Sequence, residues 1–248
     1  MNVDAIARFE TIRARIVADG RVRVADLAAE FEVSEMTIRR DLDALEDQGA
    51  IRRVRGGAVA VGPEPFAERY GRQSEAKDRI ADKLVDLVGE GGAIGLDAST
   101  TMQRLAVRLR DHRGLTVVTN SPDTFAVLGE HPGITALLTG GQLDRRTGSL
   151  VGPLAAASAG AVLLRRIFVS AAAVDATVGT SEVTLEDAEA KSALASSATH
   201  VVVAVDAGKL DQRAAARCLA IERIDVLVTD LDPTDPRLDP YREHTDIR

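Results

Sequence analysis

Five arginines crowd two short stretches of this sequence. Arg39 and Arg40 are adjacent in "VSEMTIRRDLDAL", and Arg52, Arg53 and Arg55 fall within "IRRVRGG". A guanidinium presents a rigid fork of N–H donors that suits phosphate oxygens and the O6/N7 edge of guanine. The chemistry such clusters serve is binding of a polyanion. A second set of polar residues recurs where short apolar runs stop: Asp97-Ala98-Ser99-Thr100-Thr101, Thr119-Asn120, Thr139-Gly140-Gly141, Asp175, and Asp206 with Lys209. Carboxylates accept from hydroxyls and lysine pairs with phosphate, so this set suits a small hydroxylated, phosphorylated ligand. Catalytic and metal motifs are missing. The sequence has no GxxxxGK[ST] loop, no G-x-S-x-G elbow and no Cys/His cluster with zinc spacing. The four histidines are scattered, and the one cysteine, Cys218, sits in the apolar run "AARCLAI", where a buried structural thiol is expected. Neither a metal nor a cofactor nor a catalytic residue is expected.

The elements around the arginines follow from apolar spacing. Ile6, Phe9, Ile12 and Ile16 predict a first helix ending near Asp19-Gly20, and Val24, Leu27, Ala28 and Phe31 predict a second. After a tight connection at Glu32-Val33, Ser34 reads as the N-cap of a third helix with the stripe Ile38, Leu42 and Leu45, stopped by Gly49. So short a turn between helices two and three predicts a helix-turn-helix. With that stripe inward, Met36, Thr37 and Arg40 point outward and Arg39 lies at the edge, where a recognition helix meets bases and phosphates. "AIRRVRGGAVAV" predicts a hairpin with its turn at Gly56-Gly57, a wing carrying Arg52, Arg53 and Arg55 along a phosphate backbone. The competing reading is a solvated helix with an Arg39–Asp43 pair at i, i+4, which leaves the cap, the turn and the arginine hairpin unexplained.

Residues 61–74, "VGPEPFAERYGRQS", read as a linker, with a helix through Ile80, Leu84 and Val88 beyond it. Short apolar strands then alternate with helices: "AIGLD", "LTVVTN", "ITALLTG", "RRIFVSAA", "HVVVAVD" and "DVLVTD". This alternation predicts a mainly parallel α/β sheet covered on both faces, with ligands at the carboxyl ends of its strands. At each strand end a cap or turn explains the polar residues as well as a ligand does. Glu186, Glu189 and Lys191 lie on a later helix, where a solvated face also accounts for such charges. The Pro-rich residues 232–248 read as a disordered polar tail.

The block "VADLAAEFEVSEMTIRRDLDALEDQGAIRRVRGGAV" resembles the DeoR-type bacterial transcriptional repressors, whose signature spans Ser34 to Leu42 and continues into the Gly-Gly wing. The resemblance extends over most of the chain. It implies a winged helix-turn-helix over 1–60 and a sensor domain over 75–231 with the fold of ribose-5-phosphate isomerases. DNA contacts are then expected from Ser34, Met36, Thr37, Arg39, Arg40, Arg52, Arg53, Arg55, Gly56 and Gly57. The resemblance maps effector contacts onto Asp97, Ser99, Thr100, Thr101, Thr119, Asn120, Gly140, Gly141, Asp175, Glu189, Lys191 and Lys209. The sequence departs from the family at Ser99, Ala176 and Ala207-Gly208, where glycine, glycine and two serines are common. The implied partners are double-stranded operator DNA, a phosphorylated sugar, and further copies of the chain in a dimer or tetramer. A sugar-phosphate isomerase with a DNA-binding appendage is the alternative.

Composition bounds these expectations. Apolar residues make up 45% of the 248, enough for a full core, and aromatics only 3%. The lone cysteine excludes an internal disulfide, and no apolar run approaches the length of a membrane span, so a cytoplasmic protein without a membrane partner is expected. The net charge is -7. Residues 1–60 hold ten arginines against eleven carboxylates, so bulk charge does not announce nucleic-acid binding. The arginines' positions must carry that claim.

Overall fold

The computed structural model of the chain describes residues 3–47, 51–60 and 65–248. The Gly49 stop and residues 61–64 of the expected linker lie outside them. The chain divides into two compact units, Met1–Pro65 and Phe66–Arg248.

The first unit runs α1 (Val3–Asp19), β1 (Arg21–Arg23), α2 (Val24–Glu30), α3 (Glu35–Asp47), β2 (Ile51–Val54) and β3 (Gly57–Ala60). Phe9, Ile12 and Ile16 of α1 pack with Leu27 of α2 and with Ile38, Leu42 and Leu45 of α3 in one apolar cluster. The turn between α2 and α3 closes through Glu32 in a left-handed conformation, φ 52°. β2 and β3 form the wing, and β1, which periodicity did not predict, pairs with β3 to complete an antiparallel sheet of order β1-β3-β2. Gly56 makes the hairpin turn at φ 81°, whereas Gly57 already belongs to β3. A Cβ at Gly57 would stand 2.0 Å from the Val22 carbonyl oxygen. The second glycine of the pair is therefore set by the approach of β1 to the wing.

The second unit begins with α4 (Phe66–Gly71) and α5 (Ser74–Val88). The stretch expected as linker is corrected here, because Phe66–Gly71 within it is helix. There follow β4 (Gly92–Leu96), α6 (Thr100–Arg108), β5 (Leu115–Thr119), α7 (Pro122–Gly129), β6 (Ile134–Leu138), β7 (Gln142–Asp144), β8 (Ser149–Val151), α8 (Pro153–Gly160), β9 (Leu164–Val169), β10 (Ala173–Asp175), β11 (Gly179–Glu182), α9 (Leu185–Ser196), β12 (Ala198–Ala204), β13 (Ala216–Arg217), β14 (Val226–Val228), α10 (Asp239–Arg242) and β15 (Asp246–Ile247). Seven strands form one sheet of order β15-β14-β12-β9-β4-β5-β6, with every neighbouring pair parallel. Alternate residues serve opposite faces. Val201 and Val203 join Leu194 of α9 in one apolar layer; Val202 and Ala204 join Leu84 of α5 and Leu105 of α6 in the other. The near-continuous apolar strands reflect this two-sided burial.

The tail is also corrected. β15 pairs with β14 at the edge of the sheet, and Leu238 and Tyr241 are fully buried. The Tyr241 hydroxyl donates to the Val174 carbonyl at 3.1 Å, lies 2.9 Å from Asp211 Oδ1, and accepts from the Asp211 N–H at 2.9 Å. Tertiary packing, not local apolar content, orders this segment.

Candidate functional site

In the first unit, Ser34 caps α3: its Oγ accepts from the Thr37 N–H at 3.1 Å and lies 2.9 Å from the Thr37 hydroxyl. Ile38, Leu42 and Leu45 point into the core, which leaves Met36 and Arg40 exposed. The acidic residues of α3 are largely spent on internal contacts. Asp41 pairs with Arg8 of α1 at 2.7 Å, and Asp43 pairs with Arg53. Arg39 pairs with Glu35 at 3.1 Å, so the Arg39–Asp43 pair of the competing reading does not form.

The wing arginines separate into two kinds. Arg53 faces inward, donating to the Arg39 carbonyl at 2.9 Å and the Gly57 carbonyl at 3.3 Å, while its own backbone N–H donates to Glu46 at 2.7 Å. It fastens the wing to α3. Arg52 and Arg55 are exposed and, like Arg40, form no ion pair among the described residues. Of the five clustered arginines, three are thus uncompensated at the surface, one is half-paired and one is internal.

In the second unit, β5 and β6 lie on one side of β4, and β9, β12, β14 and β15 on the other. The chain reverses between β4 and β9, which is where an open α/β sheet leaves a crevice. Asp97 follows β4 there, fully buried. Its Oδ1 accepts from the Ser99 N–H at 3.0 Å and its Oδ2 from the Ser170 N–H at 2.9 Å. Lys191, from α9, stands 3.2 Å from Asp97 and 2.7 Å from Glu182 and donates to the Ser170 carbonyl at 2.8 Å. Burial disfavours its charge, but Glu182 and Asp97 outweigh that and hold its pKa above the usual lysine range. Burial pushes the Glu182 carboxyl up. Lys209, after β12, donates to the Ala171 carbonyl at 2.7 Å and lies 3.9 Å from Asp206. Burial lowers its pKa. Three strand ends and one helix thus converge on Ser170.

The remaining expected residues fall unevenly around this centre. Ser99 caps α6 through the Met102 N–H at 3.2 Å, and Thr100 and Thr101 are buried in its first turn. Thr119 accepts from the Ser121 N–H at 3.1 Å. Asn120 donates to the Leu150 carbonyl at 3.1 Å, and its buried Oδ1 has no hydrogen-bond partner among the described residues. Gly140 and Gly141 both have positive φ, and a Cβ on Gly141 would stand 2.7 Å from the Val151 carbonyl oxygen. Close packing against β8 accounts for that glycine. Asp175 is held by Arg213 at 2.7 Å and by Thr177, which keep its carboxyl far below the usual range. Glu189 lies on the exposed side of α9, while Asp187 of the same helix is buried and accepts from Ser149 at 2.8 Å.

Sequence reasoning missed Lys77, Glu182 and Asp187. Lys77 left a signal, because it lies in register with Ile80, Ala81, Leu84 and Val88 on the buried stripe of α5. A lysine on an apolar stripe is rarely buried unless something polar awaits it. Glu182 left none, since all of β11 is buried and no alternation marks its carboxylate.

Residues 8–64 match the model of the DeoR-like helix-turn-helix domain, and residues 72–231 that of the DeoR C terminal sensor domain. The chain is 35% identical to the HTH-type transcriptional regulator GlpR of Haloferax volcanii, over 86% of this chain and 84% of that protein. It is 29% identical to the glycerol-3-phosphate regulon repressor of Escherichia coli, over 86% of each. Among solved structures, a D-ribose-5-phosphate isomerase in complex with phospho-erythronic acid matches 56% of this chain and 55% of its own, with a TM-score of 0.42 and 18% identity.

Proposed function

The chain belongs to the DeoR family of transcriptional regulators, and from that premise we propose that it represses a carbohydrate-utilisation operon and is released from its operator by a phosphorylated sugar or a related metabolite. Arg40, with Met36 and Thr37, reads the major groove, and Arg52 and Arg55 follow the phosphate backbone. One helix-turn-helix gives limited affinity, so the operator is bound by a dimer or tetramer through repeated half-sites. The effector sits at the crevice between β4 and β9 and favours the state with less affinity for DNA.

The observation that carries the sensor reading is the convergence of buried Asp97 and the partly buried Lys191 and Lys209 on Ser170 at that crevice. Turnover is not proposed. An isomerase needs a general base placed to take a proton from carbon; of the two candidates for that role, Asp175 is tied to Arg213 and Thr177 and Glu189 lies on the exposed side of α9. The test is to titrate the complex of protein with its own upstream promoter DNA against phosphorylated sugars and their free forms. Release by one phosphorylated sugar alone is the expected result, and conversion of ribose 5-phosphate by the protein would overturn the assignment.

A further inference from the structure

No residue of α4 is fully buried, and Phe66 is half-buried beside Gly148. Its other anchors are polar. The Phe66 N–H donates to the Arg146 carbonyl at 2.8 Å, and Arg69 donates to the Thr147 carbonyl at 2.7 Å. Arg104 donates to the Tyr70 carbonyl at 2.9 Å and lies over the Tyr70 ring, 4.5 Å from its centroid. The Lys77 ammonium caps the end of α4, donating to the Arg69 carbonyl and, at 2.7 Å, to the Arg72 carbonyl. α4 begins at the residue that follows the DNA-binding unit.

Lys77 differs from Arg104, Lys191 and Lys209 in having no carboxylate partner among the described residues. Arg104 is neutralised by both oxygens of Asp78, Lys191 by Asp97 and Glu182, and Lys209 lies beside Asp206. Lys77 is 5% exposed, and no carboxylate lies within ion-pair distance of it among the described residues. Two of its three N–H donors are engaged, and the third meets no acceptor among the described residues. The charges that act on it are those of Lys209, Asp206, Arg104 and Arg69, a cationic excess. Burial, with Lys209 next in weight, lowers its pKa to about 8, so its charge is incompletely held. A buried ammonium with an idle donor and no counter-ion fits a small dianion.

We propose that Lys77 binds the phosphate of the effector through its third N–H while its other two stay on the Arg69 and Arg72 carbonyls, so that one ammonium ties the ligand to the end of α4. This rests on the reading that the crevice takes a phosphorylated ligand. Occupancy then changes the order of the helix that leads into the DNA-binding unit. The inference adds a residue to the site and a route out of it. Sub-global stability differences of this kind are read by amide exchange.

The experiment is hydrogen–deuterium exchange of residues 66–72 in the full chain, with calorimetric binding of inorganic phosphate and of a panel of phosphorylated sugars. A ligand that binds is expected to slow exchange of this segment by about threefold or more. Lys77→Met is expected to bind it about tenfold more weakly, and Lys77→Arg to keep most of the affinity. If a phosphorylated ligand binds the wild type and exchange of 66–72 does not change, the proposal fails while the sensor reading stands. Wild-type affinity in a folded Lys77→Met protein has the same meaning. If no phosphorylated compound binds, both fall. Should Lys77→Met not fold, the wild-type exchange comparison decides alone.

Discussion

Arg52 and Arg53 are adjacent and chemically identical, yet the structure gives them different work. Arg53 ties the wing to α3 through the carbonyls of Arg39 and Gly57 and through Asp43. Its removal leaves those acceptors short of a donor, so Arg53→Ala should destabilise the first unit by about 1–3 kcal/mol in thermal denaturation. Arg52→Ala should leave the melting temperature unchanged and weaken operator binding instead. Arg40→Ala should cost about 1–3 kcal/mol of operator affinity with no change in stability if it contacts a base; an operator-to-scrambled-DNA affinity ratio that is the same in variant and wild type would place it off the bases. In the sensor unit, Lys77 sets a pH window. Its folded pKa of about 8 lies below the usual lysine value, so its proton is held below that point and released above it. A sugar phosphate is already dianionic above its second pKa, about 6. Affinity for a phosphorylated ligand should therefore fall as pH rises from 7 to 9, by at most about tenfold per unit for each proton released. The groups facing Lys77 are Lys209, Asp206, Arg104 and Arg69, and of these Lys209 is also pushed by burial toward losing its proton. Lys77→Met should flatten the profile, leaving what Lys209 contributes.

Helices α1 to α3 were legible because each buries one stripe, and β4, β5 and β12 because both faces of the sheet are covered. α4 and the last seventeen residues were not legible, since neither carries a periodic apolar pattern. α4 is held by side chains from elsewhere, and the tail by isolated anchors at Leu238, Tyr241 and Ile247. The site divides in the same way. Strand ends flagged Asp97, Asn120 and Lys209, because a parallel sheet puts them at one edge. Glu182 and Asp187 come from elements whose burial depends on the fold around them. The tail gives the test at this scale. The Tyr241 hydroxyl joins α10 to Val174 and to Asp211, a non-glycine residue at φ 55°. Tyr241→Phe keeps the ring and removes those bonds, and should lower stability of the sensor unit by about 1–2 kcal/mol. An unchanged melting temperature would mean that the ring alone fixes the tail.

Across the whole molecule, charge runs against DNA binding. The chain carries a net of -7, and the first sixty residues are themselves slightly acidic. The structure resolves this by spending carboxylates internally: Asp41 on Arg8, Asp43 on Arg53 and Glu35 on Arg39. Among the described residues Arg40, Arg52 and Arg55 remain uncompensated, which gives α3 and the wing a local positive surface on a chain that is acidic overall. Binding should then depend on few phosphate contacts, each releasing counter-ions as it forms. In a plot of log affinity against log salt, Arg52→Gln and Arg55→Gln should each reduce the slope by about 0.9 for every phosphate no longer neutralised. Arg40→Gln should lower affinity with little change in slope if its contact is a base edge. Weaker binding by the wing variants at an unchanged slope would mean that the wing positions α3 without touching phosphate, because removing a positioning element weakens the whole interface but takes no counter-ion from the count.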